Sequence, residues 1–254
     1  MRWFSLLALL LLLGGPATAQ DMPAEGSTVK GSLAIGRSTF ALPQGEWKVA
    51  ATGSGSVTTT LQQIGGATAQ VYLVQSDPQG KFIAAMFLRA PLSSTGVSRW
   101  NDSLCDRKDT LHRDAFSGRF DFPECLLVNH VVSFWVNAPT NEFDRKVWDW
   151  YQKNNISLPK TALASAYRKY ASGDYVNVSV WVNPETFGQE PALKTAWAES
   201  EWHPLILKNE PKRVGFVENF KKWSYVMADN ASATLANRKP KLDSLPSLDE
   251  LKVK

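Results

Sequence analysis

Apolar and polar residues alternate with a period of two over the first half of this chain, and every three to four residues over much of the second. The first pattern marks strands with one buried face and the second marks amphipathic helices. Short strands are expected at residues 38–42 and 47–51. A hairpin is expected where residues 68–75 and 81–89 flank Asp77-Pro78-Gln79-Gly80. That tetrapeptide has Asp, Pro and Gly where a type I turn prefers them. Residues 82–88 are apolar on both faces and read as a central strand.

One alternating stretch is written twice. Val132-Ser133-Phe134-Trp135-Val136-Asn137 returns as Val178-Ser179-Val180-Trp181-Val182-Asn183, identical at five of six positions. As strands, both copies put valines on one face and a Ser/Trp/Asn row on the other. His130 falls on the face of Val132 and Phe134.

Helical spacing follows each copy. Phe143, Val147, Trp150 and Tyr151 form a stripe, with Asn141 placed to cap it. Leu163, Ala166, Tyr167 and Tyr170 form a second, which Gly173 stops. Pro191 opens a third, with Leu193, Ala196 and Trp197 on one face. Pro211 suits a first helical turn and leads the longest stripe, Val214, Val217, Phe220, Trp223 and Met227.

The expected fold is therefore α+β. A largely antiparallel sheet from the N-terminal half is extended by the two repeated strands, and helices of the C-terminal half pack on one face. The expected organisation is a cleaved signal peptide at residues 1–19, a flexible leader at 20–30, one domain at 31–230, and a mobile polar tail at 231–254. Within the domain, residues 31–90 are β-rich and 91–125 form a disulfide loop. Strand-helix-helix units span 126–173 and 174–230. Leu242, Leu245, Leu248 and Leu251 are spaced so that the tail could dock.

The signal peptide rests on Arg2, an apolar run from Leu6 to Leu13 too short to span a membrane, and the small-x-small site Ala17-Thr18-Ala19. The expected product is exported to the periplasm or beyond a bacterial cell, with no integral membrane segment in the mature chain. In that oxidising setting Cys105 and Cys125 form a disulfide. Charge changes little: 28 basic against 24 acidic residues, with no long Lys/Arg run, leaves nucleic-acid binding without an electrostatic footprint. Four Asn-x-Ser triplets, at Asn101, Asn155, Asn177 and Asn230, read as accidental.

Candidate chemistry falls in two groups. The first is the Ser/Trp/Asn row: Ser133, Trp135, Asn137, Ser179, Trp181 and Asn183. Indole rings stack on sugar C–H groups, and amides serve hydroxyls as donor and acceptor. The competing account is a second layer of core, with Asn137 and Asn183 as turn residues beside prolines. The second group is the charged stretch after Cys105, with Asp106, Asp109 and His112, joined by His130 or His203 for acid/base work. Its competing account is a solvated loop and satisfied structural histidines.

No nucleophile elbow, phosphate loop or zinc motif occurs, and no metal or other cofactor is expected. The leading expectation is a non-catalytic exported protein that binds a small molecule, a glycan or an envelope protein. A hydrolase using the charged loop with a histidine is the alternative, and an envelope structural or assembly factor is the third.

Overall fold

The computed structural model describes residues 22–58, 64–93, 104–118, 123–135, 139–171 and 173–253. The expected signal peptide and Asn137 lie outside them. Among the described residues ten strands are formed: β1 Thr28–Val29, β2 Ser32–Ile35, β3 Ser38–Ala41, β4 Trp47–Thr58, β5 Ile64–Ser76, β6 Phe82–Pro91, β7 His112–Ser117, β8 Glu124–Val132, β9 Thr161–Ala171 and β10 Asp174–Val182. The helices are α1 Glu142–Lys153, α2 Pro204–Leu207 and α3 Pro211–Asn237.

Eight strands form one antiparallel sheet in the order β1-β4-β5-β6-β10-β9-β8-β7, while β2 and β3 form a separate hairpin. The β5–β6 turn forms where its sequence indicates. Asp77 Oδ1 accepts from the amides of Gln79 and Lys81 at 2.9 and 2.8 Å, and Gly80 takes φ +80°. After β6 the chain leaves for the far edge of the sheet and works back inward, so β10 closes against β6.

The fold is α+β, with helices of the second half packed against the sheet. One core layer joins Val176, Val178, Val180 and Val182 of β10 to Phe216, Phe220 and Trp223 of α3. The opposite face joins Tyr72, Ala85 and Ala162 to Val147 and Tyr151 of α1. The valine face of the second repeat is thus core, as its alternation implies.

Several expected elements differ. The first repeat is not a strand equivalent to the second: β8 ends at Val132, and Ser133 and Trp135 take φ of +53° and +55°. Over its described residues the first copy therefore differs in structure from the second, and among the described residues no strand-helix-helix unit is repeated. Residues 161–171, expected as a helix, are β9, lying between β8 and β10. Their alternation of Leu163, Ser165 and Tyr167 against Ala162, Ala164 and Ala166 fits a strand as well as a helix. Two neighbouring strands with open edges decide the matter.

Residues 191–207 carry only a 3-10 turn, Trp197–Glu199, and the four-residue α2. Residues 112–117 of the expected disulfide loop are the edge strand β7. The leader is partly tied down, because Thr28 and Val29 pair with Lys48 and Trp47. The tail is docked: α3 runs on to Asn237, Leu245 N donates to Leu42 O at 2.8 Å, and Leu245, Leu248 and Leu251 are buried. The Cys105–Cys125 disulfide is formed, with the Cα atoms 5.8 Å apart.

Candidate functional site

The Ser/Trp/Asn row divides into three fates. Asn183 is fully buried, donating from Nδ2 to Phe82 O at 2.9 Å and accepting at Oδ1 from Glu185 N at 3.1 Å. It caps the 3-10 turn Pro184–Phe187 and has nothing left for a ligand, which corrects its assignment as a binding residue. Ser179 is only 8% exposed, and Ser133 is exposed but off the strand. Trp135 and Trp181 do come together. Trp181 stacks on Tyr72 at 5.7 Å, Trp135 meets the same ring edge-on at 6.1 Å, and both contact Phe134.

Tyr72 and Tyr151 share a 3.2 Å hydrogen bond, and burial raises both phenols well above their usual range. Both stay protonated at any physiological pH. The cluster is thus a core layer beneath α1 whose rim is formed by the half-buried Trp135 and Trp181.

The charged loop and the histidines form two clusters. At the β7 edge, Tyr225 of α3 donates to Asp114 Oδ2 at 2.8 Å, and His112 Nε2 lies 2.9 Å from the same phenol. With the phenolic proton on Asp114, His112 must donate from Nε2. Loss of hydration lowers the His112 pKa. The second cluster centres on Trp197. His130, 2% exposed, stacks on that indole at 5.1 Å, and His203 meets it edge-on at 4.5 Å. The Arg107 guanidinium lies 5.7 Å from the same ring.

His130 Nε2 sits 3.2 Å from Trp197 O, and burial pushes its pKa down to about 4. His203 Nδ1 accepts from Leu205 N at 3.3 Å. Asp109 is exposed and bonded to Arg107 at 2.9 Å, which holds its carboxyl below the usual range. Asp106 is exposed. His130 Nδ1 and Trp197 Nε1 are buried without a hydrogen-bond partner, and none of the clefts described below is lined by these histidines. Among the described residues no group of three or more His, Cys, Asp or Glu could hold a metal ion.

The best-formed concavity was not singled out from the sequence. Three clefts run end to end along one flank of α1. The first, about 270 Å³, lies between Thr52–Ser54 of β4 and Phe143 and Lys146. Lys146 also lines the second, about 350 Å³, with Glu25, Asp149, Trp150 and Lys153. Trp150 and Asn154 line the second and the third, about 460 Å³, which is closed by the β5–β6 turn at Asp77–Gly80.

The helix explains the arrangement. Val147 and Tyr151 point into the core, whereas Phe143, Lys146, Trp150 and Lys153 follow a neighbouring stripe at steps of three and four. Phe143 and Trp150 are half-buried on that stripe. Gly53 lets the helix come this close, since a Cβ there would lie 2.9 Å from the Phe143 ring. Asn141 fixes where α1 starts by accepting from Asp144 N at 2.8 Å. Asn154 fixes its end by donating from Nδ2 to Trp150 O at 2.8 Å. Lys146 bridges Glu25 Oε1 and Thr52 O, both at 3.3 Å, and ties the N-terminal segment to the helix.

The groove offers the Trp150 indole, the exposed amides of Asn154 and Asn155, and charges of both signs. Lys48, Lys146 and Lys153 face Glu25, Asp77, Glu142 and Asp149. The sequence signal was present in the seven-residue spacing of Phe143 and Trp150 with charged residues between, but that spacing also describes a core stripe. No protein family, curated protein or solved structure matches this chain.

Proposed function

We propose that this is an exported, non-catalytic binding protein whose ligand lies in the groove along α1. The observation that carries the reading is Trp150, a half-buried indole shared by two adjoining clefts and flanked by Asn154, Asp149 and Lys153. An aromatic platform with amides and mixed charges suits a hydroxyl-rich ligand, because the ring covers C–H faces while the polar groups take the hydroxyls. Three lysines set among four carboxylates give no excess of positive charge, which favours a neutral ligand over a polyanion. Phe143 and Trp150 are about 10 Å apart along the helix axis from its rise per residue, enough for a short oligosaccharide. The apolar leader with Ala17-Thr18-Ala19 and the Cys105–Cys125 disulfide support export to a bacterial periplasm or beyond.

Calorimetric titration with a panel of neutral oligosaccharides tests this. Saturable binding that Trp150→Ala weakens at least about ten-fold, or ~1.4 kcal/mol, supports it. A panel with no saturable member, or binding that is unchanged in Trp150→Ala, rules it out.

An envelope assembly factor remains a second reading, favoured by one observation. Leu193 and Leu205 are 80% and 71% exposed on the segment between β10 and α3. Such exposure of large apolar side chains suits a protein partner. Under that reading Leu193→Ser/Leu205→Ser abolishes co-purification of a host envelope protein without lowering the melting temperature.

A further inference from the structure

The sheet face opposite α1 carries a second concavity, where the C-terminus of α3 meets the β9–β10 turn. We propose that it is a binding site for an oxyanion, a phosphate or carboxylate group carried on a small ligand. The cleft is about 360 Å³ and is lined by Arg37, Lys169, Ala171, Asp174, Leu235, Ala236 and Arg238. Three cations therefore face one carboxylate. Lys169 is matched by Glu124 at 3.0 Å, outside the lining, and donates to Ser232 at 2.7 Å. That leaves two guanidiniums for Asp174. Arg238 pairs closely with Asp174 Oδ2, while Arg37 reaches the same oxygen only at 3.6 Å.

Two further features point to a ligand. Arg238 Nη1 is buried and has no hydrogen-bond partner, although a buried guanidinium N–H without an acceptor is costly. Arg238 also occupies the left-handed position that ends α3, with φ +61°. Glycine takes that position without strain, so an arginine there carries a backbone cost. A cation near a helix C-terminus is favourable on its own account. One guanidinium would supply that, and two with Lys169 exceed it. The volume leaves room for an oxyanion that the two planar forks can contact.

The test uses the whole chain at constant ionic strength, titrated with inorganic phosphate and separately with acetate. Saturable binding of either anion, weakened about ten-fold or more in Arg37→Gln, supports the site. Phosphate alone assigns a phosphate-bearing ligand, and binding of both assigns any oxyanion. Asp174→Asn sharpens the result with an opposite sign. Removing the internal competitor should tighten phosphate binding about ten-fold, and phosphate should restore the thermal stability that the variant loses. If Asp174→Asn does not fold, the comparison of wild type with Arg37→Gln still decides. No saturable binding of either anion, binding unchanged in Arg37→Gln, or a shift reproduced by chloride overturns the proposal.

Discussion

Asn183 makes two side-chain hydrogen bonds from a fully buried position. Asn183→Ala leaves Phe82 O and Glu185 N without their partner, and should cost about 2 kcal/mol. Urea unfolding checks this through a lower midpoint at unchanged slope. A loss below about 0.5 kcal/mol, typical of surface positions, would contradict the assigned role. The residue shows what a strand pattern leaves out. Alternation put Asn183 on the Trp face, but the chain turns at Pro184, and turn geometry sets the destination of its amide.

His130 gives a pH prediction. Its folded pKa is near 4 against 6.5 when exposed, because burial against Trp197 disfavours the cation. Between those values the unfolded chain binds the extra proton, so stability falls as pH drops from about 6.5 towards 4 and this contribution changes no further below. The loss is on the order of 3 kcal/mol. His130→Gln keeps a donor for Trp197 O and does not titrate. The difference between wild type and variant in unfolding free energy should therefore depend on pH over that window. A constant difference from pH 7 to pH 4 would show that His130 is not buried neutral.

Among the elements, α1 was the most legible. Its apolar stripe and Asn141 cap both appear in the structure, because a capped amphipathic helix depends on residues within its own span. Asn141→Ala should remove about 1 kcal/mol, read as a thermal shift. The strand β9 was not legible as a strand. Alanine-rich Thr161–Ala171 satisfies both periods, and only the neighbouring strands β8 and β10 resolve the choice.

The C-terminal segment differed from its composition for a similar reason. Its polar residues suggest mobility, yet Leu245, Leu248 and Leu251 meet a core made by residues distant in sequence. Leu251→Ala should cost about 2–5 kcal/mol, the range for a buried leucine. A mobile tail would leave the unfolding midpoint unchanged. The Cys105–Cys125 bridge ties the turn before β7 to β8. Its reduction should cost roughly 3 kcal/mol by the chain-entropy account of a loop this size, visible as a lower urea midpoint in reductant.

Over the whole molecule, the α+β class, the antiparallel sheet and the disulfide could be read from pattern and cysteine count. The groove along α1 could not. It arises because the N-terminal segment, the β5–β6 turn and α1 converge, three pieces far apart in sequence. The repeated Val-Ser-x-Trp-Val-Asn places Trp135 and Trp181 on the α1 side of the sheet. Its tryptophans converge on Tyr72 beneath α1, where they form the inner wall of the helix platform. The proposed binding surface belongs to the same helix one stripe further round.

Amide chemical-shift mapping tests that placement most directly. Saturating the wild-type protein with a neutral oligosaccharide should move the resonances of residues 143–154, 25–26 and 76–80 together, with Trp150 among the largest changes. Shifts confined to other surfaces, or none at saturating concentration, would contradict the α1 groove as the ligand site.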